Sequence, residues 1–350
     1  MVLRGVYGVD RDMLAGCGII DSMVIGKVCN DEFLWDEIIH DLDGHPLQLW
    51  GWGELKAAHG WSAHRILFTD EADRVVGAAQ VLTKPLPRPF TRLNYVPRGP
   101  VWHEGSEAEV LEALAKYVRQ HLPGTVLTIE PDDTEMPAVH GWQESPNTIL
   151  IPRTLILDLG KGEQSLLDAM SKKTRQYIRK SGREGLVVKR AKLPEDIAKC
   201  LTIYKQTAKR AGFALHDDLY YQDLHTLMGD SSVILAAYDD GKPVAFLWLA
   251  ISKKTAFELY GGMNDRGQEL RVNYMLKWHA ITKCKEWGID RYDMNGLLND
   301  GVSTFKQGFA GHEDMLVGTY DYPLSKLYPL WTKGLPKAKS VLRKVKSLRK

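Results

Sequence analysis

The residues of this chain suited to chemistry are cations rather than nucleophiles. The segment Phe305-Lys306-Gln307-Gly308-Phe309-Ala310-Gly311 sets one lysine among aromatic and glycine neighbours. A lysine so flanked is suited to stabilise an oxyanion or a ribose phosphate, whereas a solvated surface lysine needs no such neighbours. Covalent catalysis finds no support, because there is no GxSxG elbow and no recognisable nucleophile–His pair. The eleven histidines show no metal-ligand spacing; His59 and His64, five apart across Gly60 and Trp61, are a coincidence. No metal and no cofactor is expected.

The formal net charge of +2 hides a strong segregation. Between Ser171 and Lys192 nine basic residues stand against Glu184 alone, and from Tyr322 to Lys350 nine stand against no acid. The rest of the chain is therefore acidic. A dense basic run of this kind can neutralise RNA phosphates. In the tail, Leu324, Leu327, Leu330, Trp331 and further apolar residues interleave with the lysines, which suits an anionic membrane surface equally well. Cys17, Cys29, Cys200 and Cys284 form no CxxC pair, as in a reduced, cytoplasmic protein. No apolar run approaches the roughly 18 residues of a membrane span, and Met13–Ile20 is too broken by glycine for a signal peptide.

A length of 350 residues suggests two domains, and the pattern along the chain repeats. In the first half, 65–69 and 74–83 read as a hairpin, 93–102 as a third strand, Ser106-Glu-Ala-Glu109 as a capping box opening a helix, and 126–129 as a fourth strand. In the second half, 233–238 and 243–251 flank the turn signal Asp239-Asp-Gly-Lys242. A strand at 255–260, a helix at 272–287 and a strand at 290–294 follow. Helices are expected before the second unit at 166–180 and 194–210. The reading is an internal duplication of one α/β (α+β) unit, in an order that suits the acetyltransferase-like (GNAT) fold. The expected division is an extension at 1–22, a first domain of 23–150 plus 320–350, and a second of 151–319.

Several segments together resemble the FemABX family of bacterial aminoacyltransferases. Phe305–Gly311 resembles its FKxGFxG segment. Tyr260-Gly261-Gly262, Asn273–Trp278 and Arg291-Tyr292-Asp293 resemble its YG, xNYLLxW and RYD elements, in order. Thr174–Lys180 is similar to its KTRxxIRK helix, and Leu47-Gln48, Trp52–Lys56 and Tyr95–Pro100 to its motifs on the substrate side. There is no room for the long coiled-coil arm of some members, so the resemblance is to the compact branch. It implies two tandem GNAT-like domains, probed by the repeat above. It also implies transfer of an amino acid from aminoacyl-tRNA to an amine of a muropeptide precursor, UDP-linked or lipid-linked, by a monomer in the cytoplasm or at the inner face of the membrane.

The resemblance further implies roles for single residues. An aminoacyl ester is already activated, so the reaction needs a positioned neutral amine and oxyanion stabilisation. Lys306 is the expected stabiliser, and Phe305 stands beside it or in the core. Asp293 would orient the amine, accept its proton or cap a helix. Lys56 and Arg210 would hold the acceptor's phosphates. Trp52, Tyr95, Arg98 and Tyr260 would lie along the acceptor, and Lys172, Lys173, Arg175, Arg179 and Lys180 along the tRNA. Departures from the family pattern at Met294-Asn295-Gly296, at His312 and at His103-Glu104 concern the acceptor pocket. The rival reading is a coenzyme A-dependent acyltransferase. Its glycine-rich pyrophosphate turn has no counterpart in Leu270-Arg271-Val272-Asn273-Tyr274. A non-catalytic RNA- or membrane-binding relative is disfavoured by the intact Phe305–Gly311 segment.

Overall fold

The computed structural model describes residues 24–298 and 300–334. The expected extension at 1–22 and most of the basic tail lie outside the described residues. The first half runs β1 (Ile25–Val28), α1 (Glu32–Asp41), α2 (Trp50–Ala58), β2 (Ser62–Thr69), β3 (Val75–Pro85), β4 (Arg92–Pro97), β5 (Val101–Trp102), α3 (Glu107–His121), β6 (Val126–Glu130) and β7 (Gln143–Glu144). Then come β8 (Arg153–Thr154), β9 (Ile156–Asp158), α4 (Glu163–Ala169), α5 (Lys172–Ser181), β10 (Val187–Arg190), α6 (Pro194–Ala211) and α7 (Asp218–Met228). The second half closes with β11 (Ser232–Asp239), β12 (Lys242–Ile251), β13 (Thr255–Met263), α8 (Asp265–Glu269), α9 (Val272–Glu286), β14 (Arg291–Asp293), α10 (Gly301–Gln307), β15 (Asp314–Met315) and β16 (Tyr320–Pro323).

Local chemistry accounts for many of these boundaries. Asp240 and Gly241 join β11 to β12 with φ of 47° and 74°, the two-residue turn whose twist matches a hairpin. α6 begins on Pro194 and stops at Gly212 in the left-handed region. Two expectations fail. Ser106 does not cap α3 with its hydroxyl; Glu107 reaches back to the Gly105 N–H instead (2.9 Å). The helix expected over 166–180 is broken at Met170 into α4 and α5. Ser171 adopts extended backbone there, and its hydroxyl accepts from Thr174 N (3.1 Å). The guanidinium of Arg175 folds back onto the carbonyls of Leu167 and Met170 at the end of α4.

The strands form two main sheets, ordered β1-β2-β3-β4-β6-β16-β7, with β5 on β3, and β10-β11-β12-β13-β14-β9. Each contains one parallel pair joined by a helical crossover: β4 to β6 through α3, and β13 to β14 through α9. The two pairs differ in length. β4 and β6 pair over five residues, Leu93–Pro97 with Val126–Glu130. β13 and β14 pair over three, Thr255–Phe257 with Arg291–Asp293. Asn295 then turns the chain away at φ 62°, while β13 runs on to Met263. The first seam is thus closed and the second opens as a V.

Strand β16, reached only after the second half is complete, returns to the first sheet and pairs with both β6 and β7. One apolar core lies beneath α3, around Phe68, Val110, Leu114 and Ile129. Another lies beneath α9, around Leu235, Ala256, Leu276 and Ile281. A third crosses between the halves and unites Trp35, Leu55 and Trp52 with Tyr204, Tyr221 and Trp248. At this crossing Gly51 of α2 lies against α7, where a Cβ would sit 2.2 Å from the Leu227 carbonyl oxygen, so the close approach requires glycine. The longest helix among the described residues is α6, 18 residues, and no helical arm projects from them.

Candidate active site

The open V between β13 and β14 is the mouth of a cleft of about 540 Å³. Its walls are the exposed edge of β13 from Glu258 to Met263, the end of α6, the start of α9, the turn 294–296 and α10. Four residues singled out in the sequence meet here: Lys306, Phe305, Tyr260 and Arg210. The Lys306 ammonium donates to the carbonyls of Gly296 (3.1 Å) and Asn295 (3.3 Å). Burial lowers its pKa, opposed by the charges of Glu258, Asp293 and Asp300. Phe305 packs edge-on against Tyr274 and Phe309, with ring centroids 4.9 and 5.2 Å apart. Gly308 is bound to its place, because a Cβ would lie 2.4 Å from Thr174 Oγ1. Ser171 N donates to the Gly308 carbonyl (3.0 Å), which fixes the start of α5 beside the Lys306 segment.

Beneath Phe305 lies an ion pair that sequence reasoning missed. Lys277 of α9 donates to both carboxylate oxygens of Glu258 (2.7 and 2.8 Å), and the two side chains are 5% and 9% exposed. Tyr292 donates to the same carboxylate (2.8 Å). The signal was available: Glu258 interrupts an apolar strand, and Lys277 lies on the buried face of α9.

A second group gathers where α2 meets α7. Lys56 Nζ donates to Tyr220 Oη (2.8 Å) and lies 4.3 Å above the Trp52 ring. Tyr220 also shares a hydrogen bond with Tyr260, which links Lys56 to the cleft. Burial, and then the like charge of Lys84, push the Lys56 pKa down to about 8. Neither lysine has a carboxylate within 4 Å among the described residues, and Lys84 rests 5.0 Å over Trp61. Two cations drawn together over aromatic faces without an anion of their own suit an anionic ligand. Arg210 donates to the Met263 carbonyl (3.0 Å), with Asp265 3.6 Å away. That contact ties the end of α6 to the end of β13, and the guanidinium is still partly exposed at the cleft.

Three expected substrate or catalytic contacts fall elsewhere. Tyr95 is buried in the closed β4–β6 seam with its hydroxyl on Glu130, and burial raises its pKa well above the ordinary tyrosine range. Arg98 and Asp293 are 2% and 0% exposed, beneath the cleft where the two halves meet. They pack there with His45 and the Asp132–Arg291 ion pair. Ligand atoms of His45, Asp132 and Asp293 lie within 4.8 Å of one another. A cation does not fit this cluster. His45 Nδ1 accepts from Leu47 N (3.1 Å), so the neutral ring carries its proton on Nε2, and two arginines face the carboxylates.

On α5, Lys172, Lys173, Arg179 and Lys180 are exposed along one face. Arg175 is not free for a ligand in the same way, because its guanidinium satisfies the carbonyls that end α4. Arg271 stacks 4.0 Å over Tyr177 at the same helix and enters α9 at a left-handed φ of 54°.

Two family models match the chain, one to each half: the FemAB family over residues 39–151 and the acetyltransferase (GNAT) domain over 169–307. A lipid II:glycine glycyltransferase of Staphylococcus aureus is 24% identical over 404 aligned positions, covering 87% of this chain and 95% of that protein. The alignment is longer than the 350 residues here, so that relative holds segments this chain lacks. Among solved structures, the crystal structure of FemX superposes with a TM-score of 0.79 at 20% identity, covering 88% of this chain and 99% of that one. The structure of L-PGS from Bacillus licheniformis gives 0.54 at 14% identity, covering 86% and 95%. The fold is that of a tandem GNAT-like acyltransferase. Within that class the chain belongs to the FemABX family of aminoacyltransferases.

Proposed function

We propose that this protein moves an amino acid from an aminoacyl-tRNA to an amine of a peptidoglycan precursor's stem peptide, forming an amide in cross-bridge synthesis. The observation that carries this reading is the cleft itself: Lys306 and the Glu258–Lys277 pair line the one seam that stays open, beside the basic face of α5. The precursor's phosphates lie at Lys56, Lys84 and Arg210, and its peptide along Tyr260 in the cleft. The tRNA lies along Lys172, Lys173, Arg179 and Lys180, with its esterified end in the cleft. The proposed functional division assigns residues 23–150 with 320–350 to the acceptor side and 151–319 to the donor side, with Arg210 and Tyr260 of the latter reaching across to the acceptor.

The chemistry is an acyl transfer between two bound substrates. The neutral amine attacks the ester carbonyl, a C–N bond forms, and the tetrahedral oxyanion develops beside the Lys306 ammonium. The C–O bond to the ribose then breaks, and the proton lost by nitrogen leaves with the departing hydroxyl. Lys306→Ala should cost about 10²–10³ in kcat, the scale for removing one oxyanion donor. Unchanged turnover would remove Lys306 from this role. The assay offers mixed charged tRNAs with UDP-linked and lipid-linked pentapeptides, and the products are weighed. A mass increase on neither acceptor refutes the bridge-forming reading; transfer that survives ribonuclease but requires acyl-coenzyme A favours the rival. Among the described residues no helix is long and apolar enough to cross a membrane. In the proposed reading the protein acts as a monomer in the cytoplasm and meets a lipid-linked acceptor at the inner face of the membrane.

A further inference from the structure

We propose that Arg98, a residue of the first half, is a positioning residue for Lys306 of the second, and that it acts through Asp293. The inference rests on the proposed role of Lys306 in transfer. Arg98 is fully buried and holds a left-handed φ of 49°, uncommon for a residue with a side chain. Its Nε and Nη2 have no hydrogen-bond partner, and neither does Asp293 Oδ2. Arg291 is already committed to Asp132 through both guanidinium nitrogens, so Arg98 is the uncommitted cation beside Asp293.

From Asp293 the contacts run without a gap to Lys306. Asp293 Oδ1 accepts from Thr154 Oγ1 and from Asn295 N (2.7 Å). Asn295 is held in its own left-handed turn by its amide, which donates to the Glu258 carbonyl (3.0 Å). The carbonyls that receive the Lys306 ammonium are those of Asn295 and Gly296. The turn that aims Lys306 is thus anchored on a carboxylate whose neighbouring free cation comes from the other half of the chain. The charged groups facing Asp293 are Arg98, Arg291 and Asp132, with neutral His45 alongside. Those facing Lys306 are Glu258, Lys277, Asp293 and Asp300.

The test reads Lys306 directly. The full chain is labelled with an amine-reactive reagent over a range of pH, and modification of Lys306 is followed by peptide mass spectrometry, with kcat and KM measured in parallel. Asp293→Asn removes a negative charge that favours the ammonium, so the Lys306 midpoint moves to lower pH by about half a pH unit or more. kcat falls by about 10²-fold with little change in acceptor KM. Arg98→Met moves both in the same direction, because loss of that positive charge raises the Asp293 pKa further and weakens its negative charge. The double variant is no worse than the worse single, and Arg98→Lys recovers part of the loss. Thr154→Val, which deletes one hydrogen bond to Asp293, gives a smaller shift of the same sign and serves where the other variants fold poorly. An unmoved midpoint in folded variants overturns the proposal, as do additive losses or a rise in acceptor KM alone. If the wild-type protein transfers nothing from charged tRNA, the functional reading fails while the labelling still decides the positioning role.

Discussion

Separating Lys277 from Glu258 is the perturbation with the largest expected effect on the second half of the molecule. Both side chains are under a tenth exposed, and Lys277 spends two of its three protons on one carboxylate. Lys277→Met leaves that carboxylate buried with the Tyr292 hydroxyl, at 2.8 Å, as its remaining side-chain donor among the described residues. Breaking one side of a buried pair costs about 3–5 kcal/mol, because the survivor keeps its desolvation without its partner. Replacing both members, as Glu258→Leu with Lys277→Met, removes that cost and leaves the Tyr292 hydroxyl unpaired at about 1–3 kcal/mol. The double variant is therefore expected to be more stable than either single one. Urea denaturation gives the global value, and hydrogen exchange at β13 and α9 amides reads the second half locally should the halves unfold separately. A Lys277→Met variant within about 1 kcal/mol of wild type, or a double variant whose loss equals the sum of the singles, would refute the reasoning.

Gly51→Ala forces a Cβ against the backbone of Leu227, so α2 and α7 must part. The expected cost is about 1–3 kcal/mol with a raised acceptor KM, because Lys56 and Tyr220 sit on those two helices. Lys56 is charged below about pH 8 and neutral above it. Its attraction for a phosphate is therefore full below that value and lost as pH rises through it. The acceptor kcat/KM should carry this limb, and Lys56→Met should erase it. Gly308→Ala should push Thr174 aside and displace the start of α5 from the Lys306 segment; loss of charged-tRNA affinity with intact acceptor binding is the measurement to expect.

Much of the fold was legible because turns and caps are local. Asp240-Gly241, Pro194 and Gly212 announce their conformations through φ alone. The break at Ser171 was not legible: Leu167, Tyr177 and Ile178 keep a helical period across it, and only the hydroxyl's choice of the Thr174 N–H ends one helix and begins another. At the site, Lys306 and Tyr260 were readable from their segments. Arg98 and Asp293 were readable as candidates for separate roles but not as neighbours, since proximity between opposite halves of the chain leaves no trace in spacing. The open seam was equally hidden. Two strand pairs that read alike in sequence differ by two paired residues, and that difference decides which half holds the cleft.

Strand β16 has a consequence for how the protein is made. Val126–Ile129 of β6, all buried, pair on one side with β4 and on the other with Tyr320–Pro323. During synthesis the first half emerges first, yet its sheet keeps this apolar edge bare until almost the whole second half has left the ribosome. The half that is translated first therefore finishes folding last. Any pause before residue 320 exposes a strand edge competent to pair with another chain.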